Sequence, residues 1–143
     1  MKINYYLILI FVWLLCSATT CKKVRCHDTI HFVNNSSKDV YVVGGFCPDT
    51  LKFISWLPYP YKSSPPDAYK VKSGEKNSYA LSSRGCHEAE VKSGRIVVFV
   101  FDAEVLANYS WGLIGKDYMV LKTYHPTIEE MTSSNWTITY TVE

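Results

Sequence analysis

Two short stretches concentrate the side chains that could do chemistry. Cys26-His27, with His31 four residues on, offers sulfur and imidazole ligands for a metal. Cys86-His87-Glu88, with Glu90 beyond it, offers a zinc or nucleophile site if a distant His or Cys joins it, and Glu88 with Glu90 offers a carboxylate pair. Spacing limits each of these. Strand residues four apart lie about 13 Å from one another, too far to share an ion, so Cys26, His27 and His31 are not expected to bind metal. Neighbours on a strand face opposite ways, so Cys86-His87-Glu88 would act together only from a loop. We expect instead a bridged or buried Cys86 beside an exposed His87. Glu88 and Glu90 would share a strand face at about 7 Å, yet nothing apolar is placed to raise one pKa, so both read as solvated charges. No nucleophile elbow, phosphate loop or His-Glu-x-x-His helix is present, and no catalytic residue, metal or cofactor is assigned.

The elements that would position these residues are mostly strands. Ile96-Val97-Val98-Phe99-Val100-Phe101, bounded by Ser93-Gly94 and Asp102, has the composition of a central strand buried on both faces. Trp136, Ile138, Tyr140 and Val142 alternate with Thr137, Thr139 and Thr141, the period of a strand with one buried and one wet face. Tyr118-Met119-Val120-Leu121 forms another apolar segment of the core. Between them, Thr127 and Glu130 have capping-box spacing for a short helix that Asn135 would end, and Asp102 and Ser110 are candidate caps further upstream. Asp28–Val33 and Asp39–Val43 flank the polar turn Asn34-Asn35-Ser36-Ser37-Lys38 and predict a hairpin. Further strands are expected over Leu51–Trp56, Tyr69–Val71, Ser78–Leu81 and Glu90-Val91, and the twice-used Val-Lys-Ser-Gly, ending at Gly74 and Gly94, reads as two turns rather than a repeat. The expected fold is mostly β, an antiparallel β-sandwich-like single domain over residues 28–143 with one or two short helices.

Residues 1–20 read as a signal peptide. Lys2 is its only charge, and the apolar stretch Tyr5–Leu15 is eleven residues, about 16 Å of helix against a hydrocarbon core of roughly 30 Å. Ala18-Thr19-Thr20 leads into Cys21, which resembles the acylated cysteine of a relaxed lipoprotein signal, with residues 21–27 as a tether. Ordinary cleavage to a soluble secreted domain is the alternative. The remaining cysteines are Cys26, Cys47 and Cys86, and an exported location permits bridges. We place a disulfide between Cys47 and Cys86, both beside turn residues, with buried free thiols as the alternative. Losing Lys2 lowers the formal net charge from +2 to +1 and leaves no long basic run, so nucleic acid is not an expected partner.

The segment Leu57–Pro66 holds four of six prolines and cannot be an inner strand. Trp56, Tyr59, Tyr61 and Tyr69 gather around it, and exposed aromatics on a stiff loop suit a glycan-binding or protein-binding surface, with packing as the competing role.

Val100-Phe101-Asp102, Ser110-Trp111, Tyr118–Tyr124 and Asn135-Trp136-Thr137-Ile138-Thr139-Tyr140 resemble the C-terminal signature of small exported proteins of Bacteroidota, many with lipoprotein signals. The likeness extends to Asn34-Asn35-Ser36 and Pro48–Leu51, and departs at Thr123-Tyr124-His125, where Arg-Tyr-Asp is common, and at Thr141, where Pro is frequent. It implies a cell-envelope lipoprotein and carries over no activity. Export of this kind also brings glycan attachment at Asp-Ser/Thr-apolar triplets, a pattern that Thr50 and Thr29 match; both lie in or beside expected strands and read first as ordinary β residues, with Thr50 the better placed of the two for a glycan. Lys22-Lys23-Val24-Arg25 after Cys21 is not an acidic surface-export signal, which favours the periplasmic side. The expected role is a non-enzymatic binding or structural accessory domain whose partners are the membrane, through lipid, and a glycan or envelope protein. The enzymatic alternative is an envelope hydrolase around His87 and Glu90.

Overall fold

The computed structural model describes residues 26–45, 67–91 and 93–142. The signal segment 1–20, Cys21, Cys47, Thr50, the expected strand Leu51–Trp56, and Trp56, Tyr59 and Tyr61 lie outside the described residues.

Among the described residues seven strands form two sheets, so the domain is mostly β. The larger sheet is wholly antiparallel, in the order β3 (Lys70–Val71), β2 (Val40–Gly45), β5 (Val97–Asp102), β6 (Lys122–Tyr124). The smaller runs β4 (Lys76–Asn77), β1 (His31–Asn34), β7 (Thr137–Tyr140), and in it β1 and β7 are parallel, a departure from the antiparallel expectation. Four short helices occur among the described residues, where one or two were expected: α1 (His87–Glu90), α2 (Ala103–Asn108), α3 (Trp111–Lys116) and α4 (Ile128–Ser133).

β5 is central and every residue in it is buried. The pleat sends alternate residues to two separate cores. Val98 and Val100, with Val40 and Val42 of β2, face the smaller sheet and meet Phe32, Ile138 and Tyr140. Val97, Phe99 and Phe101, with Tyr41, face the other way and are covered by Leu106 of α2 and Ile114 of α3. The chain is therefore layered as small sheet, large sheet and helix pair, which is why the run Ile96–Phe101 has no polar side.

β1 and β2 do not form the expected hairpin; they belong to different sheets. Asn34, fully buried, makes the crossing. Its Nδ2 donates to Lys38 O (2.7 Å) and Val71 O (3.0 Å), while its Oδ1 accepts from Ser36 N–H (3.1 Å) and Ser36 Oγ (2.6 Å). One side chain thus supplies the bonds that a hairpin ladder would have made.

The closing strand alternates as expected, with Trp136, Ile138 and Tyr140 buried, but it ends at Tyr140 and leaves Val142 exposed. Tyr118–Leu121 is not part of a strand; Tyr118 and Leu121 are exposed and pairing begins at Lys122. Lys76–Asn77 rather than Ser78–Leu81 is the strand in the middle region, and 87–90 is helical rather than extended. The Ser-Gly ends of both Val-Lys-Ser-Gly segments turn the chain, with Gly74 and Gly94 at φ of 74° and 72°, where a side chain would be strained.

Candidate functional site

The helix α4 fixes the position of Trp136, around which the candidate residues gather. Thr127 and Glu130 form the capping box: Glu130 N–H donates to Thr127 Oγ1 and Thr127 N–H to Glu130 Oε2. At the other end, Asn135 N–H donates to Thr132 O (3.2 Å) and Trp136 N–H to Met131 O (2.7 Å), the paired bonds of a Schellman turn with Asn135 in the left-handed position. Trp136 is left-handed too, at φ 54°, a conformation that costs a bulky residue about 1–2 kcal/mol. The strain turns its indole into the core beside Met131, and its Nε1 is buried with no hydrogen-bond partner among the described residues.

Against this indole lies the start of the domain. The His27 ring stacks on Trp136 with centroids 4.4 Å apart and an interplanar angle of 17°, and the His87 ring lies 5.7 Å away at 21°. His27 is bound to Glu88 twice, ring Nδ1 to Oε1 at 2.5 Å and backbone N–H to Oε2 at 3.0 Å. His87 N–H donates to His27 O (2.8 Å), Ser83 N–H donates to Asp28 O (2.7 Å), and Cys26 is joined to Cys86 by a disulfide with Cα atoms 4.9 Å apart. Burial pushes the Glu88 carboxyl upward, but the hydrogen bonds from the His27 ring and backbone outweigh it and hold the group below its ordinary 4.5.

Several sequence expectations change here. Cys86 pairs with Cys26, not with Cys47, because the Cα separation lies within the range a bridge requires and each sulfur makes one such bond. Cys26 and His27, expected in the tether, are part of the domain. His87 is buried against Trp136 rather than exposed. Glu88 is not a solvated charge but the partner of His27, and Glu90, two residues away on a helix, faces elsewhere and is exposed. The carboxylate pair is therefore not assembled, and of the His87/Glu90 grouping His87 is buried while Glu90 is exposed. His31 is also apart, its Nδ1 on Ser78 Oγ at 2.7 Å, and no group of three His, Cys, Asp or Glu among the described residues could hold a metal. Tyr69, expected on a binding surface, is half-buried and packs against both cores. Thr29 bridges Ser82 through its backbone, and its hydroxyl donates to Asp28 at 3.0 Å.

A signal for this cluster was present and unread. Cys26-His27-Asp28 and Cys86-His87-Glu88 are the same tripeptide pattern, Cys-His-acid, and the two copies are laid against one another. Chemically the arrangement is a clamp. Glu88 on Nδ1 orients the His27 ring as it would a general base, but both carboxylate oxygens serve this one residue and the adjoining sulfurs are joined to each other.

Compared with known proteins, the chain matches no protein family, no curated protein and no solved structure.

Proposed function

We propose that this chain is an exported cell-envelope lipoprotein of the Bacteroidota type, acylated at Cys21, whose β domain binds or scaffolds other envelope components rather than catalysing a reaction. The observation that carries the reading is the Cys26–Cys86 disulfide, five residues after the candidate lipid cysteine. Such bridges persist in oxidising compartments and are rare in the cytosol, which agrees with an export signal at residues 1–20. The bridge also suits the cysteine count, since acylated Cys21 needs no sulfur partner and only Cys47 is left over.

Five residue steps from Cys21 to Cys26 span at most about 18 Å, so the clamped end of the domain stays close to the lipid surface. The non-enzymatic part rests on how the polar groups are used. Glu88 holds the clamp, Asn34 joins the sheets, and Asp102 caps α2. The basic residues after Cys21 favour the periplasmic side. Of the two triplet threonines, Thr50 stays the preferred position for a glycan, because the Thr29 hydroxyl is already hydrogen-bonded.

Intact mass and peptide mapping of the protein from its native host, with thiols alkylated before and after reduction, test this reading. Acyl chains on Cys21, a Cys26–Cys86 crosslink and an alkylatable Cys47 are the expected result. An unmodified N-terminus with Cys21 paired to Cys47 would replace the lipoprotein by a soluble secreted domain. Measurable hydrolysis that disappears in Glu90→Gln would overturn the non-enzymatic assignment.

A further inference from the structure

Where the edge strands β6 and β7 of the two sheets approach one another, an open groove of about 450 Å³ is lined by Arg95, Tyr124, His125, Glu130, Thr137 and Thr139, among others. The backbone of β7 divides between two sides. Its even-numbered residues face β1, since His31 N–H donates to Trp136 O and Asn35 N–H to Tyr140 O, both at 2.8 Å. Thr137 and Thr139 therefore direct their N–H and C=O groups away from β1. Two of these four groups are already bonded: Thr137 N–H donates to Ser134 O (3.2 Å), and Thr139 O accepts from the Tyr124 hydroxyl (3.1 Å). The Thr137 carbonyl and the Thr139 N–H have no partner among the described residues. An acceptor and a donor two residues apart are what an added extended chain pairs with.

Apart from Tyr124, whose hydroxyl reaches the edge at Thr139 O, the usual guards are missing from β7. Trp136–Val142 contains no charge and no proline, the devices that usually keep other chains off an edge strand. The rim adds a preference. Arg95 is held by His125 O through Nη1 at 3.2 Å and has no carboxylate partner among the described residues; Glu130, in the same lining, accepts the Thr127 N–H at 2.7 Å and keeps its negative charge.

We propose that this groove takes an extended peptide of an acidic partner, its backbone adding to the β7 edge and a carboxylate side chain reaching Arg95. A second copy of this chain is the competing occupant; its β7 itself carries no charge to set against Arg95. The proposal deepens the binding role above and rests on it. Location and lipid are tested separately by mass, so failure of the peptide test leaves the anchor where it was.

The test uses the mature, oxidised chain with Cys21→Ser, and as probe a capped octapeptide of alternating Val and Thr with one central Glu, followed by amide NMR. The expected result is saturable shifts at Thr139 and His125, with the Glu peptide binding about 10-fold more tightly than its Gln analogue, the preference of one charge-assisted contact. Arg95→Gln should bring that ratio to about 1. Thr139→Pro removes only the outward donor and should abolish binding with the far-UV spectrum unchanged; if that variant unfolds, the Arg95→Gln ratio still decides. Absence of saturable shifts at roughly millimolar peptide, the weak end of measurable affinity, would overturn the proposal. So would equal binding of the Glu and Gln peptides. Concentration-dependent Thr139 shifts without peptide would assign the edge to a second copy, and displacement of the peptide by phosphatidylglycerol vesicles would assign it to lipid.

Discussion

Both carboxylate oxygens of Glu88 are taken up by His27, and this ties the residue to acid stability. Its folded pKa lies below 4.5, so between the two values the unfolded chain binds more protons than the folded one. The stabilisation is present above pH 4.5 and is lost as pH falls through the lower, folded value. Glu88→Gln should cost about 1–3 kcal/mol near neutral pH, the range for breaking charged hydrogen bonds to a half-buried group, and should flatten the acid side of the stability profile. Urea melts of both proteins from about pH 3 to pH 7 read this directly. At this scale the sequence was least legible. Taking 87–90 as a strand separated Glu88 from His27 and set Glu90 beside it; four residues hold barely one helical turn, too few for helical periodicity to show.

Among the elements, α2 depends on one buried carboxylate. Asp102 closes β5, caps the helix through Oδ1 on Glu104 N–H at 2.8 Å, and accepts the Lys38 ammonium on Oδ2 at 3.2 Å. That hydrogen bond and the charge behind it raise the Lys38 pKa. Asp102→Ala should destabilise by about 1–2 kcal/mol, and Asp102→Asn, which keeps the cap, by less; thermal melts of the pair separate capping from charge. This cap, the Thr127–Glu130 box, the Asn135 exit and the buried face of β7 were all legible, because each is a local rule written within a few residues. The β1–β2 hairpin was misread for the complementary reason. A polar turn between two β-rich runs fits a hairpin and a crossing between sheets equally well, and only the side-chain bonds of Asn34 to Lys38 and Val71 choose. Tyr118–Leu121 misled because apolar residues can lead into a strand without belonging to it.

For the molecule as a whole, the Cys26–Cys86 link closes a loop of 60 residues that includes β1 to β4. By the chain-entropy model such a loop is worth about 4 kcal/mol, so the double variant Cys26→Ser/Cys86→Ser should lose about that much in guanidinium melts, and reductant should lower the native protein to the same level. The cysteine pairing was not legible, since loop entropy restricts partners only weakly and the turn residues beside Cys47 pointed to it instead of Cys26. The layered β fold was legible, because β5 cannot be apolar throughout unless both faces are covered. One consequence follows from β1 and β7 running parallel. The backbone enters β1 and leaves β7 at opposite ends of the pair, so a pull on Cys26 and Val142 slides the two strands lengthwise and loads every ladder bond together instead of peeling them one by one. With the disulfide diverting part of that load into α1, the domain is built as a shear joint, resistant to tension along the line that joins its two ends.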